Sequence, residues 1–248
     1  AAGSEPRGGP RRRPGRRRDT AGATRTTDAT TADAGSDAKT RTAAGVDDDV
    51  RRAVPAQRLP RFQAQLRQAS EAFRRERYEE ARRTVRPLAE QAPSASSVRE
   101  LHGLTLYRLG RWAPAARELE AFRAQTGSVE QNPALADCYR ALGRYAEAEA
   151  LWDELRAARP GAEVMAEGRI VAAGALADQG RLDEAIRLLE QGNRATRTLR
   201  LRHLRMTYAL ADLYERAGDL PRARELFARV ASADPGFFDV EARVGALG

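Results

Sequence analysis

The chain has 248 residues, a net charge of +8, one cysteine and two histidines. That length allows one extended domain plus a tail. A single cysteine excludes an internal disulfide framework, and no apolar run approaches the roughly 18 residues of a transmembrane helix. The charged N-terminal stretch lacks the apolar centre of a signal peptide, so a cytoplasmic protein with no membrane partner is expected.

Residues 1–54 contain no Phe, Trp or Tyr and are dominated by Ala, Gly, Thr, Asp and Arg. Such a stretch cannot bury enough apolar area to offset the entropy of ordering, so a disordered tail is expected. Its two halves differ in sign. The first, RGGPRRRPGRRR, carries Arg7, Arg11, Arg12, Arg13, Arg16, Arg17 and Arg18; the second, ending at Asp47, Asp48 and Asp49, is threonine-rich and mildly acidic. Clustered guanidinium groups attract nucleic-acid phosphates because binding releases condensed counterions. With no aromatic side chain among them, such contact would be weak, salt-sensitive and blind to sequence. A merely solubilising tail is the equal alternative. The only lysine is Lys39, as a genome favouring Arg codons would give, which lowers the information in any arginine cluster.

Residues 55–248 read as a repeating helical domain. In LADCYRALGRYAEAEALWDELRAARP, Leu135, Ala136, Tyr139 and Leu142 share one helical face. Gly143 then ends the helix, since glycine takes the left-handed conformation common at helix C-termini. Tyr145, Ala148, Leu151, Trp152 and Leu155 form a second face, and Pro160 closes the unit.

The same template fits five times. The small residue of the first helix is Ala69, Gly103, Ala136, Ala173 and Ala211; that of the second is Ala81, Ala115, Ala148, Ala185 and Ala223. Small side chains at these points let the two helices cross closely. The predicted units are about 61–94, 95–128, 129–164, 165–202 and 203–236, with a cap over 237–248.

In chain order, the first unit is the least regular, with Glu76 where later units have Gly110, Gly143, Gly180 and Gly218. It is expected to act partly as an N-terminal cap. Ser97 and Glu100 have capping-box spacing, which predicts a helix start at Ser97. Asn132 with Pro133, and Asp219 with Pro221, mark two further starts. Gly192 falls where the other units have Leu88, Phe122, Leu155 or Val230, so the second helix of unit four should end early. The junction after it, NRATRTLRLRHLR, holds Arg194, Arg197, Arg200, Arg202, Arg205 and His203. A groove for phosphate or an acidic peptide is one reading, and a solvated helix start is the preferred one. In FFDVEARVGAL, Gly245 continues the register of Ala211, so this segment should be the first helix of an unfinished unit that covers the open end.

These residues resemble the tetratricopeptide repeat family, whose period is about 34 residues. More narrowly, LADCYRALGRYAEA, IVAAGALADQGRLDEAI and MTYALADLYERAGDLPRARELF resemble a small actinobacterial group of such proteins with an Arg- and Gly-rich tail. The resemblance implies an all-α, right-handed α-solenoid of five helix pairs plus a C-terminal capping helix. It implies no enzymatic activity, and a concave surface for a protein or peptide. The family's groove positions fall on Leu66, Phe73, Glu100, Leu104, Tyr107, Asp137, Arg140, Ile170, Ala177, Tyr208, Asp212 and Glu215. The Lys and Asn pairs with which some members clamp a C-terminal carboxylate are missing from that set.

The residues themselves offer no catalytic constellation. With no lysine after Lys39, the repeats can form neither a Walker A loop nor a lysine Schiff base. His102, His203 and Cys138 fall in different units without ligand spacing, so neither metal nor cofactor is expected. His102 and Cys138 read as packed core residues. Two functions remain: an interaction scaffold, or a nucleic-acid-associated protein whose basic tail contacts RNA or DNA.

Overall fold

The structure is a computed structural model that describes residues 43–192 and 199–248, with side chains described from residue 48 onward. Among these residues there are twelve α-helices and no strand: α1 (Ala43–Ala53), α2 (Leu59–Arg74), α3 (Tyr78–Gln91), α4 (Ser96–Arg108), α5 (Trp112–Thr126), α6 (Asn132–Ala141), α7 (Tyr145–Ala158), α8 (Ala162–Asp178), α9 (Leu182–Gly192), α10 (Leu201–Ala217), α11 (Leu220–Ala233) and α12 (Val240–Ala246). Helices α2 to α11 pair in sequence as five hairpins, and the second helix of each hairpin packs on the first helix of the next. First helices also touch their successors, α6 against α8 and α8 against α10. The chain is thus an all-helical solenoid.

Each hairpin turns in the same way. Gly110, Gly143, Gly180 and Gly218 have φ between 67° and 83°, and the residue after each donates its N–H back across the last helical turn, as Arg144 does to the Tyr139 carbonyl at 2.8 Å. This is the Schellman arrangement, which satisfies carbonyls that a helix end would otherwise leave orphaned. In the first unit Glu76 takes the same left-handed conformation, φ 58°, at the steric cost glycine avoids.

The small residues sit where the register places them. Ala69, Ala81, Ala115, Ala185, Ala211 and Ala223 have no solvent-exposed surface. At Gly103 an added Cβ would come within 2.8 Å of Leu119 Cδ2, so α4 and α5 cross as closely as their backbones permit.

Three details differ from expectation. Helix α1 lies inside the stretch 1–54 expected to be without structure, and its Val50 and the following Val54 pack with Phe62, Leu66, Val85 and Val98. Residues 1–42 of that expected tail are outside the described residues. The capping box at Ser97 does not form. Instead Asp49 accepts from Ser97 N at 2.7 Å, Ser97 Oγ at 3.0 Å and Ser96 Oγ at 3.0 Å, so a carboxylate from α1 caps α4 from across the fold. Its charge also complements the positive end of the α4 dipole. Asn132 does not cap α6 through its side chain, which donates instead to Glu154 Oε2 at 3.3 Å. Asp219 does cap α11, accepting from Arg222 N at 3.2 Å.

Helix α9 is described up to Gly192, and the expected early end falls at residues outside the described ones. The glycine makes room: a Cβ would lie 2.5 Å from Arg169 Cδ. Arg169 uses that space to reach the Leu188 carbonyl at 3.0 Å while its guanidinium covers the Trp152 ring.

Candidate functional site

The first helices α2, α4, α6, α8 and α10 carry the twelve residues projected as a concave binding surface. Nine of them (Leu66, Phe73, Leu104, Tyr107, Asp137, Arg140, Ile170, Ala177 and Tyr208) are buried, leaving Glu100, Asp212 and Glu215 half-exposed. The cause is visible in α6, where every residue from Asn132 to Arg140 is buried between neighbouring first helices.

Three of the buried residues form part of a polar ladder that crosses the repeats. The Tyr107 hydroxyl on α4 donates to Asp137 Oδ2 at 2.9 Å. Arg140, one turn along α6, donates from Nη1 to Asp137 Oδ1 at 2.9 Å and from Nε to Asp178 Oδ2 of α8 at 2.6 Å. Arg216 of α10 then donates to the Ala177 carbonyl at 3.2 Å, and its guanidinium lies 4.0 Å from Asp178. Gly174 makes the crossing possible, because a Cβ there would press on the Arg140 guanidinium at 3.0 Å. Burial opposes the charge on Arg140, but Asp137 and Asp178 outweigh it and raise its pKa above the ordinary value. Burial pushes the Tyr107 phenol well above its ordinary range, and the Asp137 carboxylate adds to the effect. A guanidinium held by two carboxylates has little capacity left for an incoming one.

The remaining three positions are also engaged. Glu100 accepts from Gln131 Nε2 at 2.9 Å. Arg243 of α12 pairs with Asp212, lies 3.2 Å from Glu215 Oε2 and stacks over Phe227. The capping helix thereby occupies the first-helix face of the fifth unit.

Two arginines of the second cluster pair with carboxylates of α8. Arg200 is exposed, whereas Arg202 meets Glu163 at 2.5 Å and Arg205, buried, meets Glu167 at 2.6 Å. His203 Nδ1 accepts from Arg200 N at 3.0 Å and helps start α10. Arg194 and Arg197 lie outside the described residues, as do Arg7, Arg11, Arg12, Arg13, Arg16, Arg17 and Arg18.

Cys138 is fully buried, and burial pushes its thiol far above the ordinary range, so it packs as a small hydrophobe. His102 is buried with Nδ1 3.2 Å from Glu118 Oε1, a carboxylate that also takes Arg99 at 2.6 Å. Among the described residues no three His, Cys, Asp or Glu side chains converge as a metal-ligand cluster, and no helix is long and apolar enough to cross a membrane.

A groove that the sequence reading missed lies on the other side of the first helices, between α7, α8 and α9. It has a volume of about 320 Å³, a floor of Trp152, Leu176 and Leu188, and walls that include Glu149, Asp153 and Arg181. The signal for it was present in one position. Three residues after the small residue of the first helix stand Tyr139 and Tyr214 in units three and five, and Leu176 in unit four.

Comparison with known proteins gives consistent matches. Family models of the tetratricopeptide repeat match residues 66–129, 134–196 and 176–246. Among solved structures, the chain is similar to a thermophilic TPR protein of Thermus thermophilus, with 21% identity and a TM-score of 0.61 over 75% of this chain and 98% of that one. It is also similar to the TPR-like repeats of a Podosopora anserina kinesin light chain, with 22% identity and a TM-score of 0.53 over 70% of this chain and 97% of that one. No curated protein sequence matches.

Proposed function

The chain belongs to the tetratricopeptide repeat family, and on that premise we propose that it is a non-enzymatic scaffold holding a protein or peptide partner against its stacked helices. The observation that carries this reading is the unbroken stacking of α2 to α11, in which hairpin follows hairpin and builds an extended face. The twelve projected positions remain the proposed inner surface, with Glu100 as the side chain a partner reaches, while α12 covers Asp212 and Glu215 and the buried nine serve as support. The scaffold is placed in the cytoplasm as part of the same reading.

The test is capture by the immobilised full-length chain from lysate of its native host, with and without nuclease treatment. Discrete polypeptides are expected to be retained, and Glu100→Arg is expected to weaken their retention. Retention that vanishes with nuclease, or that Glu100→Arg leaves unchanged, overturns the inner-face reading.

A second reading gains from one observation. Because Arg202 and Arg205 are engaged by Glu163 and Glu167, the run Arg7 to Arg18 is the remaining strong polyanion candidate. If that run binds RNA or DNA, affinity falls with salt by a slope of roughly 0.7 to 0.9 per phosphate contacted, and removing residues 1–18 abolishes the binding.

A further inference from the structure

The last three of the four junctions between repeats share one aromatic site, and in one of them the ring is missing. Where the second and third units meet, Tyr139 of α6 fills the space between α5 and α7, and its hydroxyl donates to Glu120 Oε1 at 2.6 Å. The Arg144 guanidinium lies over the same ring, 4.2 Å from its centroid. Where the fourth and fifth units meet, Tyr214 of α10 makes the same bond, its hydroxyl donating to Glu190 Oε1 at 2.5 Å; here the guanidinium comes from a different position, Arg222, 5.3 Å from the ring centroid, and Asp219 stands where unit three has Arg144. Both tyrosines are buried.

Between them, where the third and fourth units meet, the polar fittings are present and the sequence supplies no ring. Asp153 stands five residues after Ala148, as Glu120 does after Ala115 and Glu190 after Ala185. Arg181 precedes Ala185 by four residues, as Arg144 precedes Ala148. The position of the tyrosine is held by Leu176, which is too short to reach the acceptor, and the groove opens above it. The ion pairs of Asp153 and Arg181 are local, with Arg156 and Glu184, and exposed enough to exchange partners at little cost. The first junction differs, because Arg86 occupies the acceptor position and Leu106 there is buried.

From this difference between junctions we infer that the groove between α7 and α9 is a docking site for a tyrosine side chain of a partner polypeptide. The ring enters over Trp152, Leu176 and Leu188, the hydroxyl donates to Asp153, and the Arg181 guanidinium covers the ring as Arg144 covers Tyr139. The inference rests on the scaffold reading and names the chemistry of the partner at a face distinct from the inner one. Residues 1–42 contain no aromatic residue, so that stretch of this chain is not the occupant.

Two measurements on the full chain test the inference. The first is Leu176→Tyr, which supplies the missing ring in cis. The variant is expected to melt at a higher temperature than the parent, with the gain lost in the double variant Leu176→Tyr, Asp153→Ala. A lower melting temperature means that the groove does not have the shape of its neighbours and overturns the inference. The second follows the Trp152 indole N–H resonance during titration with N-acetyltyrosinamide and N-acetylphenylalaninamide. A saturable shift is expected with the first, and about tenfold weaker binding with the second because the bond to a charged acceptor is missing. Equal response to the tyrosine and phenylalanine probes, or a response that persists in Leu176→Tyr, overturns it. Partner capture that survives Leu176→Tyr but is lost in Glu100→Arg overturns the groove while leaving the scaffold reading intact; loss of capture in neither variant removes both.

Discussion

The two ends of the solenoid are closed by short helices of opposite character. At the C-terminal end, α12 and the turn before it continue the repeat register, bury Phe237 and Val240 against α10 and α11, and are pinned by Arg243 to Asp212. At the N-terminal end, α1 belongs to no hairpin, buries Val50 and Val54, and is pinned by a carboxylate to a helix start. One end is closed mainly by aromatic area and the other mainly by hydrogen bonds to orphaned donors. A solenoid end needs its open face covered, and two unrelated chemistries meet that need.

The largest effect is expected from Phe237→Ala, about 3 to 5 kcal/mol of lost stability, because the ring packs against Tyr208 and α12 has little other apolar area to hold it. Chemical denaturation measures it. Val50→Ala, with two methyl groups at about 0.8 kcal/mol each plus a small cavity term, is expected to cost less than half as much. Equal losses would break the contrast between the ends.

Ala211→Leu, where α10 and α11 cross, is expected to cost about 1 to 3 kcal/mol by overpacking. The same change at exposed Ala242 should be silent, and an unshifted melting curve for Ala211→Leu would show that the crossing is looser than its burial implies.

Asp49→Ala is expected to cost about 0.5 to 2 kcal/mol, as loss of an N-cap does. Asp49→Asn, which keeps an acceptor, should recover part of it. Hydrogen exchange would rise in Ser96 to Arg99 and leave α12 unchanged; exchange rising at both ends would mean that the two caps are coupled.

The smallest effect concerns alkali. Burial, reinforced by the Asp239 carboxylate that accepts the Tyr208 hydroxyl, raises the Tyr208 phenol above its ordinary value of 10.0. A raised acid keeps its proton when folded, so its stabilisation is complete below pH 10 and is lost as pH climbs beyond it. The gap of about 1 kcal/mol expected between the parent and Tyr208→Phe at neutral pH should therefore narrow above pH 10. The cost of Val50→Ala should not change over that range.

The hairpins were legible in the sequence because each depends on residues close in the chain: a glycine stop, a small residue at the crossing, and a periodic apolar face. The C-terminal cap was legible for the same reason, since Gly245 keeps the register of Ala211. Helix α1 was not. Its only apolar signal is Val46, Val50 and Val54 at four-residue spacing, and the partners that give Asp49 its role lie 47 and 48 residues away. The inner face misled for a related reason. Spacing places Tyr107, Asp137 and Arg140 on the first helices, but only the packed structure shows that they bond to one another and to Asp178 across neighbouring units.

That ladder from Tyr107 to Arg216 bears on how the molecule comes apart. An array with only nearest-neighbour packing opens one unit at a time from whichever end frays first. Here the third and fourth units share buried charges, and pulling Asp178 away from Arg140 and Asp137 would strand a guanidinium and its carboxylates away from water. Opening should therefore stop at that junction, so that the outer units breathe singly while the third and fourth exchange their amide protons as one block.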